Sequence, residues 1–113
     1  MPFDPAKRDY DNCPMEAAMA VIGGKWKTVI LVRLLLEGRM RFSELGRTIP
    51  AITPRTLTAQ LRELEADQLI IRDVFAEVPP RVEYSLAPLG QQLGPALSAL
   101  ANWSVDYLAA ARA

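Results

Sequence analysis

The stretch Thr53-Pro54-Arg55-Thr56-Leu57-Thr58-Ala59-Gln60-Leu61-Arg62-Glu63-Leu64-Glu65-Ala66-Asp67 restricts the fold more than any other part of this chain. Thr53 can accept a free backbone N–H of a first helical turn, and Pro54 suits the first helical position because it has no N–H to leave unpaired. Leu57, Leu61 and Leu64 recur at i, i+4 and i+7, so a helix gathers them into one narrow apolar stripe. Opposite the stripe stand Arg55, Ala59 and Arg62, flanked by Thr56 and Thr58. A helical edge of guanidinium groups, hydroxyls and little bulk fits a DNA major groove, where arginine reaches guanine and hydroxyls reach phosphates or bases. An ordinary amphipathic helix with a solvated face has the same pattern, so the neighbouring segments must decide.

A chain of 113 residues holds one domain with a real core and is too short for two. Half the residues are hydrophobic and 23% are charged, a globular rather than a disordered balance. Arg33 interrupts the apolar run Val29-Ile30-Leu31-Val32, so no membrane span is expected. Met1 to Arg8 lack the apolar core of a secretory signal, which makes the cytoplasm the expected location. The single cysteine, Cys13, rules out an internal disulfide framework. With no histidine, the commonest general base is missing and no zinc ligand set can be assembled. No Gly-rich phosphate loop or paired-acid spacing stands out either, so the chain is expected to be no enzyme and to need no metal or cofactor. The net charge is zero, but Arg39, Arg41, Arg47, Arg55 and Arg62 face only Glu44 over residues 39–62 before Glu63, Glu65 and Asp67 reverse the sign. A cationic face beside an anionic one is concealed in that total, although chance clustering of so few charges gives the same picture.

Taken in order, residues 1–12 carry mixed charge and no periodicity and read as an arm. Cys13-Pro14 opens a helix to about Val21, with Cys13 at the N-cap and Glu16 in the first turn, and Gly23-Gly24 ends it. Lys25 to Glu37 is apolar over much of its circumference and reads as the central core helix, stopped by Gly38. After a short extended piece, Arg39-Met40-Arg41, the segment Phe42 to Ile49 reads as a two-turn helix with Ser43 as cap and Leu45 and Ile49 inward. A short helix, the turn Pro50-Ala51-Ile52 and the longer helix from Thr53 make a helix-turn-helix arrangement. Leu69 to Ala76 and Arg81 to Leu86 read as strands, with Val82, Tyr84 and Leu86 on one face and Glu77-Val78-Pro79-Pro80 as the turn of a hairpin, or wing. Arg81 near its tip has two readings, a contact to phosphate or minor groove and a cross-strand partner for an acid such as Asp73 or Glu77. From Pro88 the period is helical again through Leu89, Leu93, Leu97, Leu100, Trp103, Tyr107 and Leu108, with Gly94-Pro95 expected to kink or split it. Its apolar side exceeds what one small subunit covers, so packing with the first helix against a second copy is expected, against the competing view of a helix covered by its own core.

The ordered set Cys13-Pro14-Met15-Glu16, Ile22-Gly23-Gly24-Lys25-Trp26-Lys27, Arg41-Phe42-Ser43-Glu44-Leu45, Ile52-Thr53, Leu57-Thr58, Leu61-Arg62-Glu63-Leu64-Glu65 and Glu77 to Leu86, ending in a Leu-rich helix with Trp103, resembles the HxlR family of bacterial winged helix-turn-helix transcriptional regulators. The resemblance covers about residues 13 to 104. It implies a mainly α fold with a β-hairpin wing, dimeric through the first and the long last helix, that binds operator DNA as a homodimer. An arm of residues 1–12 would precede one domain over 13–113. Three residues depart from the pattern: Gln68 replaces a glycine, Ala87-Pro88 replaces a threonine-led helix start, and Gly46 stands where a long polar residue is frequent. Several family members are described as sensing oxidants, quinones or aldehydes at the position of Cys13. A helix N-terminus favours a thiolate there, while Asp9 and Asp11 oppose it and a small packed cap residue is the competing reading.

Arg55, Thr56, Thr58, Ala59 and Arg62 are therefore expected in the major groove, with Thr53 at the helix start, Arg41 and Ser43 on phosphate, and Arg81 in the wing. The expected partners are double-stranded operator DNA and a second copy of the chain, with no membrane, and with a small molecule or oxidant as effector. The alternative is a winged-helix protein-interaction module that binds no DNA, which an exposed apolar patch in place of the arginine-threonine face would favour.

Overall fold

The structure, a computed structural model, describes residues 14–113. The arm and the Cys13 cap expected from the sequence lie outside the described residues. Helix α1 runs Pro14–Ile22, with Pro14 first and Glu16 in the opening turn. It closes where the Gly23 N–H donates to the Met19 carbonyl at 2.8 Å and Gly24 turns the chain at φ 93°. Helix α2, Lys27–Glu37, starts two residues later than the apolar pattern suggests, because Trp26 takes the N-cap and Lys25 is left outside with its ammonium 4.7 Å from the Trp26 ring centroid. Ile30, Leu31 and Leu34 make α2 the core helix as expected. Gly38 ends it at φ 86° with its N–H on the Leu34 carbonyl, a backbone region that a side chain disfavours.

Strand β1 is Arg39–Arg41, helix α3 is Phe42–Thr48, and helix α4 is Pro54–Ala66. Strands β2, Ile70–Phe75, and β3, Arg81–Leu86, complete a three-stranded antiparallel sheet in the order β1-β3-β2. Its register pairs Met40 with Tyr84, Arg72 with Tyr84 and Ile70 with Leu86. One face of the central strand carries Val82, Tyr84 and Leu86, as its alternation suggests, and the buried Met40, Ile70, Tyr84 and Leu86 join the helices in one core. The start of α3 differs from expectation. The helix begins at Phe42, not after Ser43, because the Glu44 carboxylate accepts the Arg41 N–H at 2.7 Å and so makes Arg41 the N-cap. Ser43 is left exposed in the first turn, while Leu45 and Ile49 are buried as expected.

After β3 the chain forms α5, Pro88–Gln91, and α6, Gly94–Ala111. Gly94-Pro95 splits the helical run, since Pro95 has no N–H to continue it and its ring belongs in a first turn. Leu97 is the last residue of α6 to be buried. Beyond it Leu100, Trp103, Val105, Tyr107 and Leu108 are all exposed, and the Trp103 and Tyr107 rings stack with centroids 5.2 Å apart.

The non-glycine residue after α4 has a conformational cost. Gln68 sits at φ 64°, held by its N–H on the Glu65 carbonyl and by the Leu69 N–H on the Leu64 carbonyl, 3.0 Å each. Left-handed backbone is unfavourable for any residue with a Cβ. Gln68→Gly should therefore raise the urea midpoint at unchanged slope, by about 0.5–1 kcal/mol of stability. An unchanged or lower midpoint would contradict this reading of the turn.

Candidate nucleic-acid interface

The interface is built on the rotation of α4 about its own axis. Leu57, Leu61 and Leu64 are 1%, 1% and 0% exposed, so the core fixes which edge of the helix looks outward. That edge carries Arg55, Ala59 and Arg62, all exposed. Thr53 caps the helix as expected, its hydroxyl accepting the Thr56 N–H at 3.1 Å and donating to Thr56 Oγ1 at 2.9 Å. The Thr56 hydroxyl proton is thereby left for an outside acceptor. Thr58 differs, because its hydroxyl donates to the Pro54 carbonyl at 2.9 Å and retains only acceptor capacity and a methyl group.

The cations divide into two sets. Lys27, Arg39 and Arg81 are ion-paired, whereas no described carboxylate lies within ion-pair distance of Arg41, Arg47, Arg55, Arg62 or Arg72. Lys27 is 9% exposed and reaches Glu63 on α4 across 3.6 Å. Glu63, which the sequence offers only as the point where the charge changes sign, thus links α4 to α2. Neither Lys27 nor Arg72 stands out in the sequence as part of the site. The signal for Lys27 is a lysine at the head of a largely apolar core helix; for Arg72 it is the inward phase of the alternation Ile70, Arg72, Val74.

On the outer face of the sheet, Arg39 Nη1 meets Asp73 at 3.1 Å and Glu83 at 3.4 Å. Arg81 places Nη2 3.3 Å from Glu77 and Nε 3.1 Å from Glu83, with its guanidinium carbon 4.2 Å from the Phe75 ring centroid. The Arg81 Nε–H is not aimed at Glu83 and makes no hydrogen bond, so that contact is Coulombic. Of the two readings of Arg81, the acid pairing is the one present, with Glu77 and Glu83 as partners, because Arg39 takes Asp73. Arg81 stands opposite Phe75 in the last strand pair before the turn, with its guanidinium laid against that ring and its acids, while Val78, Pro79 and Pro80 beyond it are exposed. Arg41 and Ser43, at the start of α3, face that turn across a concavity of 420 Å³.

Among the described residues no group of three or more metal-ligating side chains clusters, and no helix is long and apolar enough to cross a membrane. The short α3, the turn and the capped α4 with its arginine edge, followed by a hairpin, are the parts of a winged helix-turn-helix. A family model described as HxlR-like helix-turn-helix matches residues 21–112. The chain belongs to the HxlR family. Among its relatives, the HTH-type transcriptional regulator YdeP of Bacillus subtilis is 44% identical over 105 residues, 93% of this chain and 81% of the relative. An HTH-type transcriptional regulator of Methanothermobacter thermautotrophicus is 52% identical over 95 residues, 84% of this chain and 72% of the relative. The solved structure of the redox regulator HypR in its oxidised form matches with a TM-score of 0.78 at 46% identity, covering 83% of this chain and 96% of that one. This HxlR protein is accordingly a DNA-binding helix-turn-helix transcriptional regulator, with α3 and α4 as its helix-turn-helix.

Because Arg81, on β3, ties Glu77 at the start of the turn to Glu83 on its own strand, its removal should act locally. Arg81→Ala should speed amide hydrogen exchange across residues 73–83 several-fold while leaving α2 and α4 unchanged. Equal exchange in the two proteins would show that the pairs contribute nothing to the wing.

Proposed function

We propose that a homodimer of this chain binds an operator through two copies of α4 in successive major grooves. The observation that carries this reading is the uncluttered outer edge of α4, where Arg55 and Arg62 have no described acid to neutralise them. Arg55, Thr56 and Ala59, in the first two turns, read bases, since the N-terminal residues of a recognition helix lie deepest. Thr53, Thr58 and Arg62 flank them, Arg41 and Ser43 meet phosphate, and the hairpin set by Arg81 lies along the neighbouring groove. An exposed apolar patch, which the protein-interaction alternative needs, is absent from this edge of α4.

The dimer rests on α1 and α6. Met15 and Met19 on α1 and Leu100, Trp103, Val105, Tyr107 and Leu108 on α6 leave more large apolar surface exposed than a lone small subunit carries comfortably. A second copy is the partner that closes such a surface symmetrically, in a domain spanning 13–113. The operator, and so the protein, belongs in the cytoplasm, and the chain acts on DNA without catalysing a reaction. HypR is named a redox regulator; for this chain an oxidant or electrophile acting at Cys13 is the proposed signal.

Arg55→Ala should weaken operator binding by about 1–3 kcal/mol per half-site and relax preference at one base position in each. Gel shift on the DNA upstream of the chain's own gene, with base-substituted controls, measures both. Undiminished affinity and preference would remove Arg55 from the readout. Trp103→Glu should turn a dimer into a monomer in sedimentation velocity, and a parent protein that sediments as a monomer would rule out the two-fold arrangement. With an oxidant added, Cys13→Ser should keep whatever binding the parent loses.

A further inference from the structure

One of the two readings of Arg81 puts a DNA contact near the tip of the wing, yet the described residues offer a different cationic surface nearer its root. Thr58, Leu61, Arg62 and Glu65 of α4 face Arg72 and Tyr84 of the sheet across a concavity of 390 Å³. Arg72 lies on the α4 side of the edge strand β2, in register with Tyr84. Arg62 and Arg72 are both exposed, and neither has a described acid within ion-pair distance, not even Glu65 on the same wall. Two guanidinium groups on one cleft repel one another, and Glu65 on the same wall offsets that only in part because it pairs directly with neither. An anion between them offsets the rest.

Geometry selects the anion. With α4 in a major groove and the hairpin along the neighbouring minor groove, the sugar-phosphate strand that separates the two grooves has to pass between α4 and the hairpin. The concavity lies between those two elements. We infer that the cleft walled by Arg62 and Arg72 seats a phosphodiester of that strand, which makes Arg72 a DNA-contacting residue and gives the flanking Arg62 the role of a backbone clamp. Arg62 lies about two helical turns beyond Arg55, in the half of α4 that is drawn away from the groove floor. Glu65, on the same wall, weakens the clamp and tunes it. The inference rests on the operator-binding reading above, and its test separates the two.

Each phosphate neutralised by a cation releases condensed counterion, so log K falls against log salt with a slope of about −0.9 per contact. Binding of Arg72→Ala and of the parent to the same upstream DNA should be compared from 50 to 200 mM salt. The variant loses one contact in each half-site, so its slope should be shallower by about 1.8 and its deficit should shrink roughly twelvefold over that range. Base preference should not change, in contrast to Arg55→Ala. Arg72→Lys should restore the slope. Glu65→Gln should tighten binding, a gain that damage to the fold would not produce. In ethylation interference, one modified phosphate per half-site that blocks the parent should lose its effect on Arg72→Ala. If Arg72→Ala keeps the parental slope and interference pattern, the cleft is not a phosphate seat and the base-reading role of Arg55 stands untouched. If the parent itself binds no upstream DNA, the operator reading falls and this inference falls with it.

Discussion

The packing of Leu57, Leu61 and Leu64 into the core decides everything outside it. Each of these side chains is essentially inaccessible, and truncating one such leucine to alanine in a close-packed interior costs about 2–5 kcal/mol. Turning α4 by one residue, about 100°, would bring leucine to the surface and bury an arginine without a partner. The helix therefore has one permitted rotation, and its outer edge is Arg55, Ala59 and Arg62. Function follows from where the leucines are not.

The second constraint is electrostatic. Charges used to hold the fold are paired within it: Lys27 with Glu63, Arg39 with Asp73 and Glu83, Arg81 with Glu77 and Glu83. Exposed pairs of this kind contribute roughly 0–1 kcal/mol each, so their value lies in fixing where elements sit more than in raw stability. Lys27 matters most in this respect, because it is largely withdrawn from solvent and spans from the core helix to the recognition helix. Of the described cations outside these pairs, Arg41, Arg47, Arg55, Arg62 and Arg72 lie from the end of β1 through α3 and α4 to the inner side of β2, the surface a polyanion would meet, while Lys25, Arg33 and Arg112 lie elsewhere. A zero net charge conceals this division completely.

Features governed by nearby residues could be read from the sequence. Thr53-Pro54 marks the start of α4, Gly38 the end of α2, Gly94-Pro95 the break before α6, and Val82, Tyr84 and Leu86 the buried face of β3. Features set by contact across the fold could not. Ser43 has the better local chemistry for a cap, but the reach of Glu44 back to the Arg41 N–H decides where α3 starts. The pairing of Arg81 depends on β3 bringing Glu83 alongside it and on Arg39, from the distant strand β1, occupying Asp73. The role of Arg72 is not legible in the sequence for a similar reason: a single arginine in a β-branched strand says nothing until the fold sets α4 across from it.

The central claim is that the leucine-fixed edge of α4 enters the major groove of a two-fold site. Methylation interference on the operator tests it directly, since dimethyl sulfate marks guanine N7 in the major groove and adenine N3 in the minor groove. Two clusters of interfering guanines, roughly 34 Å apart along one face of the duplex, are the predicted result. Interference confined to adenine N3, or none at any guanine, would contradict the account.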